Sequence, residues 1–263
     1  MAGTTLIGLS LIIKKIMENI NMLKSDVLYN QVEKKQCMKY GLSSCVKDGV
    51  LYPGIYEKSS LKVLFVLKEP YSDWDMENNK PIDGGFYFSD IVATLKDKVQ
   101  EGLNKTWLKV AAISYSLKNN TAYSENLSYE QIKEGLECVC WINLSKTPWK
   151  TTTKIDEEYI SRVKAWEDVV TEQFKETDFD ILIYCGIGNF SRDNPVEPDL
   201  PWNESFISDS KMYIHEITRG VNRVFIYHYK DTNKIIVNGC HPSYGNSAEW
   251  QTEFIKNYQA LRE

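Results

Sequence analysis

Hydrophobic residues occur along the chain in two alternating patterns. Short and almost continuous apolar runs are typical of buried strands, and longer stretches between them carry apolar residues at helical spacing. Strands are predicted at residues 62–67, 138–144, 180–185, 224–229 and 234–238. Helices are predicted at residues 22–37, 89–118, 129–137, 156–176 and 248–261. Because strands that are apolar throughout need cover on both faces, the pattern predicts an α/β fold with a parallel sheet.

The predicted architecture is a three-layer α/β/α sandwich with a central, mostly parallel, four-stranded sheet. A chain of 263 residues is long enough for one such domain. We assign residues 22–263 to this domain and residues 1–21 to an N-terminal extension or peripheral helix. The apolar run at residues 6–13 is too short to span a bilayer, and its lysines follow it, unlike those of a secretory signal. We therefore expect a cytoplasmic monomer with no membrane partner.

Charge and cysteine usage limit the functional classes. The net charge of −5 argues against a protein that coats duplex DNA by electrostatics alone, although a local basic groove is compatible with it. The six cysteines include no pair at C-x-x-C spacing, so a zinc site or iron–sulfur cluster is not favoured. We expect free thiols in a reducing compartment, with no metal and no cofactor.

Polar residues and a glycine turn follow the predicted strands. Glu69 comes after the first strand, Asn143 ends the second, Gly186 follows the third and His241 follows the last. In parallel sheets the ligand lies outside the carboxyl ends of the strands, so these residues are candidates for one site. Each also has an ordinary structural explanation: a solvated turn carboxylate, a turn-capping amide, a tight turn or a loop histidine. The functional interpretation depends on the four together.

Three short motifs at these strand ends resemble those of the uracil-DNA glycosylase superfamily. Residues 67–71 (LKEPY) are similar to the Gly-Gln-Asp-Pro-Tyr motif of its most widespread branch. Asn143, Lys146 and Pro148 fit the spacing of a second motif, and residues 241–243 (HPS) match a third. The resemblance spans roughly residues 60–261. Two departures are Leu67 in place of glycine and Glu69 in place of aspartate.

The resemblance implies that the protein hydrolyses the N-glycosidic bond of uracil or a modified pyrimidine in single- or double-stranded DNA. A base inside a duplex has to be flipped out to reach such a site. Glu69 is the implied catalytic carboxylate, which orients water and stabilises the sugar cation. His241 is the implied donor, as a neutral imidazole, to the negative charge that develops on the departing base.

The remaining implied site residues bind the base or the DNA. Asn143 offers an amide that can read the base edge. The implied stacking and pocket-wall residues are Phe86 or Phe88 and Tyr71, and the implied DNA contacts are Lys146 and Ser243 to phosphates and Tyr244 as a wedge. Core packing is the alternative for the phenylalanines, and a solvated surface charge is the alternative for Lys146.

Three other functions remain open from the sequence. The same chemistry on another damaged or modified base, including modified phage DNA, is compatible with the longer acid and the lost glycine. The others are a non-catalytic nucleic-acid-binding homologue and an enzyme that acts on free nucleosides or nucleotides. Fold alone does not decide between them.

Overall fold

The computed structural model describes residues 23–72, 74–78, 80–82, 88–150, 156–186, 212–219, 222–229, 232–243 and 249–262. The predicted extension at residues 1–21 lies outside these ranges. The helices are α1 (Lys24–Tyr40), α2 (Pro53–Tyr56), α3 (Phe88–Ala93), α4 (Leu95–Glu101), α5 (Lys105–Asn119), α6 (Tyr129–Glu137), α7 (Glu157–Glu176) and α8 (Glu249–Arg262). The strands are β1 (Gly49–Val50), β2 (Val63–Leu67), β3 (Trp74–Asp75), β4 (Lys80–Pro81), β5 (Val139–Asn143), β6 (Ile181–Cys185), β7 (Met212–Arg219), β8 (Asn222–Tyr229) and β9 (Lys234–Gly239).

One seven-stranded sheet in the order β1-β5-β2-β6-β9-β8-β7 organises the molecule, and β3 and β4 form a separate two-stranded ribbon. The central strands β5, β2, β6 and β9 are parallel to one another, whereas β1, β8 and β7 pair antiparallel at the two sides. The α/β fold is confirmed, and the sheet is larger than the four strands predicted. Short connections join β8 to β7 and to β9. Such short connections favour hairpins, in which the two strands run antiparallel.

Helices cover both faces of the parallel strands. Val63, Phe65 and Leu67 of β2 belong to a buried cluster with residues of α5, α6 and α8. Leu64 and Val66 belong to a second cluster with residues of α1 and α7. Each buried aliphatic or aromatic side chain contributes about 1.5–3 kcal/mol, so these strands and their helical cover stabilise the framework that holds the strand ends.

The long helix predicted at residues 89–118 is divided into α3, α4 and α5. Gly102 ends α4 with a φ of +102°, a conformation that only glycine adopts without strain. The side chain of Asn104 then caps α5 by accepting a hydrogen bond of 2.8 Å from the backbone N–H of Thr106. Apolar spacing alone did not reveal these breaks, because the three helices direct similar apolar stripes towards the same core.

None of the helices in the described ranges is both long enough and apolar enough to cross a membrane.

Candidate active site

The carboxyl ends of the four parallel strands lie along one edge of the sheet. Leu67, the last residue of β2, pairs with Asn143, the last residue of β5, and Glu69 follows two residues later. Gly186 and His241 follow β6 and β9, which continue the parallel series on the other side of β2. The strand pairing therefore brings the sequence-predicted residues to the same edge.

The half-buried His241 has a defined tautomer. Its Nδ1 accepts a hydrogen bond of 3.3 Å from the backbone N–H of Ser243 and lies 2.9 Å from the hydroxyl oxygen of Ser243. Because a backbone N–H can only donate, Nδ1 is the acceptor and the proton of the neutral ring is on Nε2. None of the described residues hydrogen-bonds to Nε2. Burial, together with the positive charge of Lys68, lowers the pKa of His241 to about 4, so the ring is neutral at pH 7.

Gly186 allows the imidazole to approach the end of β6. It has a φ of +69°, and a Cβ at this position would lie 3.3 Å from the backbone nitrogen of His241. Its N–H donates a hydrogen bond of 2.8 Å to the carbonyl oxygen of Gly239. A side chain at position 186 would strain the turn and press against the loop that carries His241. The fold itself therefore favours glycine at this position.

Glu69 is bound inside the protein. Oε2 accepts hydrogen bonds of 3.1 and 3.0 Å from Nε and Nη2 of Arg162, and Nη2 also lies 3.3 Å from Oε1. The Glu69 side chain is only 3% exposed, and that of Arg162 is fully buried. The guanidinium of Arg162 also stacks on the ring of Trp149, and its Cζ lies 3.8 Å from the ring centroid. The expected sugar-side carboxylate is therefore held in a buried ion pair, which limits its access to substrate.

Arg162 was not among the residues predicted from the sequence, although its spacing from apolar residues of the same helix indicates that it is buried. The residue stands three positions after Tyr159 and four before Trp166 on α7, so all three share one helical face. All three are buried, whereas Ile160, which apolar spacing predicts on the buried stripe of this helix, is 54% exposed. A charged residue on a buried helical stripe indicates a buried partner, and here that partner is Glu69.

Asn143 and Lys146 belong to a buried polar cluster around Asp48. Oδ2 of Asp48 accepts hydrogen bonds from the backbone N–H and the Nδ2 of Asn143, at 2.7 and 3.0 Å. Oδ1 of Asp48 accepts from Nζ of Lys146 at 2.6 Å and from Nε2 of Gln173 at 3.1 Å. Nζ of Lys146 also donates to the carbonyl oxygen of Asn143 at 2.7 Å. The carboxylate of Asp48 thus ties the end of β5 to Gln173 of α7.

This cluster corrects the DNA-binding role expected for Lys146. The side chains of Lys146 and Asp48 are both fully buried, so the ammonium is neither a phosphate contact nor a solvated surface charge. Burial lowers the pKa of Lys146, and the charge of Asp48 opposes that effect. The amide of Asn143 is similarly engaged, because its Nδ2 donates to Asp48 and its Oδ1 accepts from Nε1 of Trp141 at 3.3 Å. Base reading by Asn143 would require these contacts to change.

Phe88 is a core residue, not a free stacking surface. It is 5% exposed, and its ring contacts those of Trp107 and Trp141 edge-on, with centroids 5.1 and 5.6 Å apart. These rings anchor α3 to β5, which explains the apolar character of the position. The alternative candidate Phe86 and the wedge candidate Tyr244 lie outside the described residues.

Tyr71 and Ser243 border the edge in different ways. Tyr71 is 58% exposed, and its backbone pairs with that of Trp149 beyond the ends of β2 and β5. Ser243 contacts Nδ1 of His241, so it orients the imidazole whether or not it also meets a phosphate. The pocket-wall role expected for Tyr71 stays a prediction.

Asn238 in β9 is a further candidate that sequence reasoning assigned only to a strand. Its side chain is 1% exposed, yet neither its Oδ1 nor its Nδ2 has a hydrogen-bond partner among the described residues. It lies directly across from Tyr184 of β6 and three residues before His241. A buried amide without partners costs free energy, so such a group in an enzyme is a candidate for contact with a ligand.

The described residues contain no group of three or more His, Cys, Asp and Glu side chains placed to hold a metal ion. All six cysteines are free thiols.

Comparison of the chain with protein-family models gives no match, and comparison with curated proteins gives none either. The resemblance carried by the strand-end motifs therefore stays a prediction, and the function has to be argued from the residues at this edge.

Proposed function

We propose that the protein is a DNA glycosylase that hydrolyses the N-glycosidic bond of uracil or a modified pyrimidine after the base is flipped out of the helix. The proposed fold is the three-layer α/β/α sandwich of the uracil-DNA glycosylase superfamily. The observation that carries the proposal is His241, a neutral imidazole at the carboxyl edge of the sheet with Nε2–H as a donor.

A neutral imidazole suits the departure of a pyrimidine. When the bond between the base and the sugar breaks, its electron pair goes to the base, and negative charge spreads from the ring nitrogen to the carbonyl oxygens. The lowered pKa of His241 keeps the ring neutral, and a neutral imidazole is a very weak acid, so its fixed N–H stabilises that charge without giving up its proton. The Nδ1 contact with Ser243 fixes the ring orientation before substrate arrives.

Glu69 remains the proposed carboxylate on the sugar side, with a smaller effect than the sequence implied. Its partner Arg162 already neutralises much of the charge that would stabilise a sugar cation. We therefore propose that His241 contributes more to catalysis than Glu69 does. For the base edge, the unpartnered amide of Asn238 is better supported than Asn143, whose amide bonds within the protein.

The first experiment uses oligonucleotides that contain uracil or modified pyrimidines, in single- and double-stranded form, with alkaline cleavage of the abasic product. We expect base release by the wild-type protein and a loss of about 100-fold or more in kcat for His241→Ala, as for other lost electrostatic donors. The matched control is His228→Ala, because His228 pairs with Ile235 near the opposite end of β9. Equal rates for His241→Ala and the wild type would refute the role of His241.

A non-catalytic nucleic-acid-binding protein is the second candidate. The observation that favours it is the buried pair of Glu69 with Arg162, which removes the most obvious carboxylate from substrate. Binding of the same oligonucleotides without release of any base would support this second function and contradict the first.

A further inference from the structure

Three neighbouring strand ends are followed by a lysine, a glycine and a histidine. Val66 of β2 pairs with Tyr184 of β6, which pairs with Asn238 of β9. Two residues beyond these paired positions the three chain segments reach Lys68, Gly186 and Cys240, and His241 comes next. Two strand spacings separate the backbones of β2 and β9 by roughly 10 Å, a distance that a lysine side chain spans in large part.

The intervening strand presents no side chain at this level. Gly186 follows the middle strand of the three, and its absent Cβ faces His241. The space between Lys68 and His241 is therefore not filled by a side chain of β6. The backbone of Lys68 is fixed, because its carbonyl oxygen accepts a hydrogen bond of 2.9 Å from the N–H of Ser145.

The charge of Lys68 is not neutralised within the described part of the chain, where no carboxylate forms an ion pair with it. The adjacent Glu69 directs its carboxylate to Arg162 instead. Buried charges behind the strand ends are compensated in pairs, Glu69 by Arg162 and Asp48 by Lys146. Among the described residues, half-buried Lys68 thus keeps a positive charge without a carboxylate partner, and this charge contributes to keeping the imidazole of His241 neutral.

We propose that Lys68 is a further catalytic residue, whose ammonium stabilises the negative charge that develops on the departing base beside Nε2–H of His241. This inference rests on the proposed glycosylase function. In the step, the bond from the base nitrogen to C1′ of the sugar breaks and both electrons go to the base. Water adds at C1′ and releases its proton to solvent, the base anion takes a proton from solvent, and Lys68 and His241 keep theirs.

The kinetic test compares Lys68→Met with the wild type, with Lys68→Arg as a charge-retaining variant and Lys58→Met as the control at an exposed lysine. We expect Lys68→Met to lower kcat at least about tenfold with little change in KM, and Lys68→Arg to recover part of the loss. The loss should be smaller for 5-fluorouracil than for uracil, since the fluorinated base leaves as a more stable anion. A raised KM with unchanged kcat and a weaker salt dependence would instead identify Lys68 as a phosphate contact and overturn the proposal.

A second test does not require base release. 5-Nitrouracil is an anion at neutral pH and uracil is neutral, and their binding is followed through the ring signals of His241 by NMR. The wild type should bind the anion more tightly than uracil, and Lys68→Met should lose that preference while the pKa of His241 rises. A preference that persists in Lys68→Met, or none in the wild type, overturns the inference. If the wild type releases no base from any substrate but still prefers the anion, and Lys68→Met loses that preference, only the glycosylase function is overturned.

Discussion

At the residue scale, the protein separates two kinds of charged group. Glu69, Arg162, Asp48 and Lys146 are paired and buried, so they stabilise the strand ends and the helix behind them. Within the described part of the chain, His241 and Lys68 are only half-buried and remain available to a ligand. The sequence motif contained members of both kinds, and only three-dimensional contacts distinguish them.

The buried Asp48 cluster makes a stability prediction. Asp48→Ala leaves Lys146, Asn143 and Gln173 without their common acceptor, and an uncompensated buried ammonium costs about 3–5 kcal/mol. Urea denaturation should show a loss of that size in the free energy of unfolding. Asp26→Ala, which removes the partner of Lys47 in a more exposed ion pair, is the control and should cost less than about 1 kcal/mol. Similar losses for both variants would contradict the assignment of a buried network.

The lowered pKa of His241 predicts a dependence of stability on pH. The unfolded histidine takes up a proton near pH 6.5, and the folded one does so only near pH 4. The unfolded state therefore binds more protons between these values, and the free energy of unfolding falls by about 3 kcal/mol as pH decreases through this range. His241→Gln should lack this component. An identical pH dependence in both proteins would show that His241 is not held neutral by its surroundings.

The partners of the site residues could not be predicted from the sequence. Arg162 is 93 positions from Glu69, and Asp48 is 95 positions from Asn143. No local pattern encodes such pairs, because they form only when α7 and β1 pack against the strand ends. The strand-end positions were predictable, since strand length and apolar runs are local properties.

At the element scale, the central strands and most helices follow the predicted pattern. The errors occur where a backbone conformation, not an apolar period, decides the outcome. Gly102 divides the helical region, and β1 has two residues, too few to show any pattern. The antiparallel β7 and β8 enlarge the sheet beyond the four strands that were expected.

The contact between α5 and α6 supplies a prediction at this scale. A Cβ added at Gly135 would lie closer to the carbonyl oxygen of Ala111 than two such atoms can approach. Gly135→Ala must push the helices apart and should lower the free energy of unfolding by about 1–3 kcal/mol. The control is Gly54→Ala in α2, where no atom lies within 4 Å of the added Cβ. A Gly135→Ala protein as stable as this control would contradict the close packing of the two helices.

At the scale of the whole molecule, the fold and the charge distribution fit a protein that contacts DNA locally. The chain has a net charge of −5, which argues against attraction of duplex DNA by overall charge alone. The parallel strands bring Lys68 and His241 to one edge, where the proposed anionic base would meet positive charge and an N–H donor. Such a site requires few phosphate contacts, which is compatible with an acidic protein that acts on single bases.

Glycosylase activity is best tested by mass-spectrometric detection of free bases released from DNA of varied base composition and modification. We expect the wild-type protein to release uracil or a modified pyrimidine and to leave an abasic site in the same DNA, whereas His241→Ala releases far less. DNA that stays intact, with no free base after prolonged incubation with folded wild-type protein, would contradict the proposed base excision.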